Sequence, residues 1–330
     1  MMLRRLLLAV LLAMRLAGAA AEDESREDAW WTGPMLAPSP AVLPPGHALI
    51  EPYLFDEVSN ASFDSSGGRH SGPYEHTLGS QTYMLFGVTD RITAGLIPRF
   101  AYNEPAGAPN SSSPGVGDVT LQAAFGVTQY TDGSRIPALS LIVQETVPTG
   151  RYDALARASD GFGAGAYTSA LALYSQDYFW MPNGRILRMR LDLTYAVSSS
   201  VPLHDLSVYG TVNGFSGHAR PGDSFVADWA AEYSVTRSWV LALDVVYQGN
   251  GDTAVQGIQA GGAAMLPTPG APPPGPYETR SGSSHAIVFA PAIEYNFSSA
   301  VGLLLGVRII QIGRNTEGSL TPALALNMVL

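Results

Sequence analysis

RILRMRLDLTYAV, residues 185–197, alternates apolar and polar side chains along its whole length. Every second residue of an extended strand shares a face, and the apolar face here consists of Leu187, Met189, Leu191, Leu193 and Tyr195. The opposite face carries Arg188, Arg190, Asp192 and Thr194. Burial of this face in a dry protein core would leave those three charges without water or partners. A membrane-spanning barrel removes the problem, because the apolar face contacts lipid and the polar face contacts a wet interior.

The same alternation recurs from His47 to the end of the chain, in short windows separated by turn signals. The twelve windows are 47–63, 77–87, 92–102, 118–128, 136–149, 165–178, 185–197, 223–233, 239–249, 284–295, 301–312 and 319–330. An even number of strands is typical of a single-chain bacterial barrel. No convincing helical periodicity competes with the pattern.

The connections between these windows alternate in length. The short ones are 88–91, 130–135, 181–184, 234–238 and 296–300. The long ones are 64–76, 103–117, 150–164, 198–222 and 250–283, with a shorter one at 313–318. Short periplasmic turns and long external loops produce this alternation. A periplasmic β-sandwich, the soluble alternative, predicts neither the alternation nor aromatic residues at the ends of apolar faces, where this chain has Tyr195, Tyr233, Trp239, Tyr247 and Tyr295.

We therefore predict an all-β fold, a transmembrane antiparallel up-and-down β-barrel of about 12 strands formed by residues 47–330. Residues 1–21 are predicted to be a signal peptide, since Arg4 and Arg5 precede an apolar run that ends in small residues before Ala21. Residues 22–46 are acidic and then Pro-rich, without periodicity, and are interpreted as an extended periplasmic leader. Its Trp30 and Trp31 anchor either at the membrane interface or at the barrel mouth.

Charge and cysteine content exclude several classes of function. Cleavage after Ala21 removes three of the 18 basic residues and none of the 28 acidic ones, so the net charge becomes −13. This charge disfavours nucleic-acid binding. The chain has no cysteine, which excludes a disulfide scaffold, a thiolate metal site and a cysteine nucleophile.

Seven phrases along the chain resemble the outer-membrane family named for the MetA-pathway of phenol degradation. They are TGPMLAPSPAVLPPGHALIEPYLF (32–55), FGVTDRITAGL (86–96), GVGDVTLQAAF (115–125), VQETVPTGRYD (143–153), YSVTRSWVLALDVVYQG (233–249), FAPAIEYNFSSAVGLLLGV (289–307) and PALALNMVL (322–330). The resemblance covers most of the chain after residue 21. It implies an outer-membrane barrel without a catalytic motif that transports small, aromatic or hydrophobic compounds.

The polar strand faces supply the candidate pore-lining residues. They are Glu51, Arg99, Gln122, Gln144, Arg188, Arg190, Asp192, Asp228, Glu232, Asp244, Glu294, Arg308 and Asn327. One interpretation is a charged pathway whose facing acids and bases orient polar solutes, and the other is an ion-pair network that fills a narrow barrel. Twelve strands allow either. Small inward residues favour a passage because they leave space: Ala124, Ala290, Ala292, Gly302 and Gly306.

Arg188, Arg190 and Asp192 are predicted to line the narrowest part of the lumen. The alternative is that the two arginines merely pair with Asp228 on a neighbouring strand. An outer-membrane hydrolase is the rival from another class. It needs a base beside its nucleophile, and none of the six histidines, His47, His70, His76, His204, His218 and His285, is followed two positions later by a serine. No His pair has zinc-ligand spacing, and no calcium loop is present.

The sequence thus predicts a passive channel or transporter in the bacterial outer membrane, acting without cofactor or metal. Its expected partners are outer-membrane lipid, a small-molecule solute and the barrel-assembly machinery, which would recognise the C-terminal strand. That strand ends in Leu330, whereas outer-membrane proteins usually end in an aromatic residue. The alternatives are a plugged structural barrel and a surface-interaction protein that binds through the Gly/Pro-rich loop 250–283.

Overall fold

The computed structural model describes residues 25–260 and 274–330. The predicted signal peptide, residues 1–21, lies outside the described residues. The described chain is almost entirely β-structure, with single-turn 3-10 helices at Arg26–Asp28 and Ala158–Asp160. None of the helices in these two ranges has the length and apolar character needed to cross a membrane.

Fourteen strands form the main sheet. Its first half consists of β1 (Ala48–Phe63), β2 (Arg69–Thr89), β3 (Ile92–Ile97), β4 (Arg99–Glu104), β5 (Gly115–Val116), β6 (Val119–Thr128) and β7 (Ala138–Val147). Its second half consists of β8 (Thr168–Trp180), β9 (Ile186–Ser198), β12 (Ser224–Ser234), β13 (Trp239–Asn250), β16 (Ser284–Asn296), β17 (Val301–Arg314) and β18 (Thr316–Val329).

The main sheet is a closed barrel. Strand β1 pairs antiparallel with both β2 and β18, so the described sheet has no free edge between its first and last strands. β3 and β4 are two parts of one spanning strand, since both pair with β2. β5 and β6 are likewise two parts of one strand, since β5 pairs with β4 and β6 pairs with β3. The barrel therefore has twelve antiparallel strands, which confirms the predicted fold.

The faces of the strands follow the predicted alternation. On β9, Leu191 points outward and is 46% exposed, whereas Arg190 and Asp192 point inward and are 4% and 3% exposed. Aromatic rings flank the outward faces, with ring centroids 4.7 Å apart for Trp239 and Tyr295 at the end where turns are short. The outward surface is therefore apolar, as lipid contact requires.

The second sheet is a feature that the sequence analysis missed. It contains β10 (Val201–His204), β11 (Phe215–Arg220), β14 (Ala254–Gln259) and β15 (Gly275–Arg280), all within segments predicted as long loops. These strands are stable because Val201, Leu203, Phe215, Ala219 and Val255 bury a small core of their own. Residues 64–76 were also predicted to be a long loop. In the structure β2 already begins at Arg69, so only a tight turn connects it to β1.

The two ends of the barrel are distinct. At the short-turn end, the backbones of Ala48 and Leu330 exchange hydrogen bonds of 2.7 and 3.0 Å, so both ends of the barrel sequence meet there. The second sheet and the remaining long connections lie at the other, long-loop end. In bacterial barrels the short-turn end faces the periplasm and the long-loop end faces the exterior.

Candidate functional site

The described residues that directly precede β1 lie inside the barrel. We call residues 29–45 the N-terminal segment. It enters at the short-turn end, where the Trp30 amide donates to the carbonyl of Arg237 (3.0 Å), and leaves at the same end, where the Gly46 amide donates to the carbonyl of Gly87 (2.9 Å). The prediction for residues 22–46 is an extended periplasmic leader. In the structure, residues 29–45 contain neither strand nor helix and lie against the inner wall of the barrel.

Two buried carboxylates hold the first limb of the segment. Glu294 accepts hydrogen bonds from the amides of Thr32 (2.7 Å) and Gly33 (3.2 Å). Asp244 accepts three, from the amides of Met35 (3.0 Å), Leu36 (3.2 Å) and Ala37 (2.9 Å). An irregular segment has free amide groups, and a buried carboxylate needs donors, so each satisfies the other. This reciprocal need is the physical reason why the segment occupies the lumen.

The rest of the segment is bound through single contacts to other strands. The Arg190 guanidinium donates to the carbonyl of Ala37 at 2.5 Å, and the Ser140 hydroxyl donates to the carbonyl of Pro40. The Leu43 amide donates to the hydroxyl of Thr93 at 2.8 Å. Pro34, Pro38, Pro40, Pro44 and Pro45 carry no amide hydrogen, so they reduce the number of donors that the lumen must satisfy.

Two glycines of β17 make room for the N-terminal segment. A Cβ atom at Gly302 would lie 1.9 Å from the hydroxyl oxygen of Thr32, and one at Gly306 would lie 3.0 Å from the sulfur of Met35. Met35 also packs in one buried cluster with Ala290 and Ala292. The N-terminal segment therefore lies beside four of the small residues predicted to leave space, whereas the fifth, Ala124, lines the inner of two cavities described below.

The arginines at the short-turn end have a different partner from the one considered. Arg188 makes a buried, bidentate ion pair with Glu232, and Arg190 lies 3.5 Å from the same carboxylate. Asp228 pairs in register with Asp192 and not with either arginine. The Arg188 guanidinium also lies over the Trp31 ring, 4.5 Å from its centroid. Trp31 thus packs against the barrel mouth, one of the two predicted positions.

The apex of the segment, Met35 to Pro38, separates two cavities. The outer cavity, of about 600 Å³, lies above the apex and the inner cavity, of about 240 Å³, lies beside and below it. Of the thirteen predicted residues, five line the outer cavity: Arg99, Gln144, Asp192, Asp228 and Arg308. Five line the inner one: Glu51, Gln122, Arg188, Arg190 and Asn327. The remaining three, Glu232, Asp244 and Glu294, are fully buried under the segment and its contacts.

Polar side chains around the cavities are mostly paired. Gln144 donates to Gln122 (3.1 Å), and Asn327 donates to Glu51 (3.2 Å). Arg308 donates to Gln248 at 3.2 Å and to Glu57 at 3.4 Å. The interior therefore combines elements of both predicted interpretations, an ion-pair network at the short-turn end and an unfilled space above it.

Several lining residues were missed by the sequence analysis. Tyr53, Tyr83 and Tyr174 line both cavities, and Glu57 and Thr321 line the outer one. Alternation within β1 places Tyr53 and Glu57 on the face of Glu51, so this part of the wall was accessible from the sequence. The N-terminal segment has no such periodic signal.

Two connections cover the long-loop end. A third cavity, of about 650 Å³, lies beneath residues 105–109 and 156–159 and shares Glu57 with the outer cavity. Asp160 fastens the cover, because its carboxylate accepts from the amide (2.7 Å) and hydroxyl (2.9 Å) of Ser112. These hydrogen bonds, led by the one from the amide, lower the pKa of Asp160 below its ordinary value. We call this space the mouth cavity.

The described residues hold no group of three His, Asp or Glu side chains arranged to bind a metal ion. Hydrogen-bonding groups, charged side chains and aromatic rings all line the interior, and these could contact a small molecule. The outer cavity is large enough for such a molecule.

Comparisons with known proteins agree with this architecture. The COG4313 outer membrane channel from Pseudomonas putida F1 superposes with a TM-score of 0.63 and 16% sequence identity, over 88% of this chain and 97% of that one. At that identity, the likeness shows the fold. The toluene transporter TodX of Pseudomonas putida gives a TM-score of 0.33 and 9% identity over 96% of each chain. No curated protein sequence matches this chain.

The sequence itself matches one family model. The match runs over residues 59–270, more than half of the chain. The barrel fold and the resemblance of the seven sequence phrases point the same way. The chain belongs to the family described as "Putative MetA-pathway of phenol degradation".

Proposed function

We propose that this protein is a passive outer-membrane channel for small molecules that is closed at rest by its own N-terminal segment. The observation that carries the proposal is the arrangement of the lumen. A solute-sized cavity is reached from the long-loop end, and its floor is the apex of the segment, Met35 to Pro38. A solute that enters from outside stops at this floor until the segment moves.

The contacts of the segment support a reversible closure. It is bound by hydrogen bonds to side chains and by a small apolar contact at Met35, and no covalent bond fixes it to the wall. Single hydrogen bonds of this kind contribute about 1–3 kcal/mol each, so a limited number must break for the first limb to withdraw. The solute class suggested by the family name, aromatic or hydrophobic compounds, is compatible with the tyrosines of the outer cavity. We propose outer-membrane lipid and the barrel-assembly machinery as its other partners.

A plugged structural barrel is the second candidate. The same segment favours it, because the segment and buried ion pairs occupy much of the lumen at the short-turn end. The two candidates differ in whether any solute crosses. They make opposite predictions for the same flux measurement.

Solute flux into liposomes tests the proposal. The mature chain and a variant lacking residues 25–40 are reconstituted, and swelling in an arabinose gradient is followed. Deletion exposes Asp244 and Glu294 to water in place of the segment, so the pore widens and swelling accelerates relative to the full chain. Heat-modifiable electrophoretic mobility checks that both barrels are folded. Slow but measurable flux through the full chain is expected, and a folded full chain without any flux would establish the plugged barrel instead.

A further inference from the structure

The outer cavity contains an unusual pair of acids. Asp192 on β9 and Asp228 on β12 are direct cross-strand neighbours, and both point into the cavity. They are 3% and 5% exposed. Like charges in directly opposed positions destabilise a sheet unless something lies between or beside them. The pair therefore needs a compensating group.

Among the described residues, the amide of Ser175 donates to Oδ1 of Asp192 (3.3 Å), but other oxygen atoms of the pair have no partner. Oδ2 of Asp192 and Oδ1 of Asp228 are buried and have no hydrogen-bond partner among the described residues. The hydroxyl of Thr321, which lines the same cavity and is 5% exposed, also lacks one. The nearby Arg190 donates to Gln176 and Ala37 and approaches Glu232, so its guanidinium is engaged elsewhere. Three buried oxygen atoms without partners thus belong to side chains that line one cavity.

Aromatic side chains form one part of the cavity wall, and polar side chains, Arg99 and Arg308 among them, form another. Tyr174 is the cross-strand neighbour of Asp192 on its other side, and Tyr53, Phe55 and Tyr83 belong to the same wall. The rings of Tyr53 and Tyr83 lie edge to face with centroids 6.0 Å apart. Aromatic faces attract organic cations, and carboxylates accept their N–H donors.

The approach to the pair is also acidic. The mouth cavity is lined by Glu57, Glu75 and Glu317, with Arg157 as its only arginine among the described lining residues. Glu57 continues into the outer cavity, where Arg308 binds it. Arg99 is on β4, several strands away around the barrel from β9, and has no carboxylate within ion-pair distance in the described chain. Negative side chains thus occur along the route from the mouth to the floor, together with Arg157, Arg308 and Arg99.

We infer that the outer cavity is a binding site for a small aromatic ammonium ion, whose N–H groups reach Asp192 and Asp228. This inference rests on the proposed function, since it names the class of solute that the channel would select. A metal ion fits the site less well, because two carboxylates and one hydroxyl do not complete the six or more oxygen ligands that Ca²⁺ takes. An organic cation fits, since its ring meets the tyrosines while its ammonium group meets the acids.

Calorimetric titration of the detergent-solubilised mature chain at pH 7 tests the inference. Three ligands of matched ring size are compared: benzylammonium, benzyl alcohol and benzoate. We expect benzylammonium to bind about tenfold more tightly than benzyl alcohol, and benzoate more weakly than either. In the D192N/D228N double variant, which keeps side-chain shape, the preference for the cation disappears. Glu278→Gln, in the second sheet outside the cavity, leaves it unchanged.

Equal affinity for the three ligands, or a cation preference that persists in the double variant, overturns the inference. The comparison of the three ligands on the unaltered chain tests the cation preference by itself, so the test does not depend on the stability of the variant. Binding is measured without flux. Cation binding without flux supports this inference and contradicts the channel proposal. Flux without a cation preference supports the channel proposal and contradicts this inference.

Discussion

Glu232 shows at the residue scale how this barrel interior is held. Its carboxylate is fully buried and accepts two hydrogen bonds from Arg188, with Arg190 at 3.5 Å. Such a pair contributes little net stability as a whole, but the loss of one partner leaves an uncompensated buried charge. The alternation of β9 and β12 predicted that these side chains point inward. It did not predict which acid meets which arginine, because that choice depends on the register of the two strands.

Removal of this acid is therefore expected to destabilise the barrel. Glu232→Ala leaves the Arg188 guanidinium buried without its carboxylate, and the free energy of unfolding falls by about 3 kcal/mol. Glu278→Ala removes an exposed glutamate 3.9 Å from Arg280 and serves as the control, with no measurable change expected. Urea unfolding in lipid vesicles, followed by tryptophan fluorescence, measures both. Equal midpoints for the two variants would mean that the buried pair is not important for stability.

The N-terminal segment is the element on which the account depends. Gly33 of the segment donates to Glu294 of β16, which is 261 positions away in the sequence. The segment itself has neither strand nor helix periodicity. This contact forms because closure of the barrel places β16 and β17 next to the N-terminal segment. No local sequence pattern encodes it. For this reason, the sequence predicted the wall of the site but not what fills it.

A larger side chain at Gly306 should loosen this element. In Gly306→Val, the added atoms meet the wall at Ala292 and the sulfur of Met35, because a Cβ atom there already lies 2.9 Å from Cβ of Ala292 and 3.0 Å from the sulfur. Gly72→Val is the matched control, since a Cβ atom at Gly72 has its nearest neighbour at 4.0 Å. A spin label on Ala41→Cys, in a chain that has no other cysteine, reports the motion. We expect greater label mobility in the Gly306 variant only, and unchanged mobility in both would show that the segment is not packed at Met35.

The cover at the long-loop end is an element with a predictable pH response. Because the pKa of Asp160 is lowered in the folded loop, its bonds to Ser112 stabilise the cover above the ordinary aspartate pKa of about 3.9. This stability is lost as pH falls through the lowered value. A spin label on the exposed Ser113→Cys should therefore stay immobile from pH 7 to about 4 and become mobile below it. Asp160→Ala should be mobile throughout, and a pH-independent wild type would remove Asp160 as the fastener.

The whole molecule was the most predictable level. Each spanning strand must show apolar side chains to lipid and satisfy its backbone through its neighbours, so alternation, strand count and connection length all encode the closed barrel. The second sheet escaped prediction because its strands are short and lie in Gly-rich and Pro-rich connections. Their pairing depends on a small core that forms only when the loops meet.

Closure of the barrel depends on the last residues of the chain. Leu49 pairs with Val329 and Ile50 with Met328, and Leu330 bonds to Ala48. Deletion of residues 328–330 leaves part of β1 as an open edge in lipid, where each unpaired backbone group costs several kcal/mol. The fraction of heat-modifiable, folded barrel recovered from detergent refolding should fall markedly. An undiminished yield would show that closure does not require this end of β18.

Closure by the N-terminal segment is the central claim, and a reversible lock on that segment tests it most directly. A Cβ atom at Gly302 lies 3.3 Å from Cβ of Thr32, close to the separation in disulfides, so T32C/G302C can tie the first limb to β17. V42C/G126C ties the second limb, where a Val42 methyl lies 3.2 Å from a Cβ atom at Gly126, and leaves the first limb free.

Single-channel conductance in planar bilayers is recorded for both variants before and after reduction. We predict that oxidised T32C/G302C shows no conductance steps and that reduction restores them, whereas V42C/G126C conducts in both states. Identical conductance from oxidised and reduced T32C/G302C would contradict the claim that the N-terminal segment must leave the lumen for the passage to open.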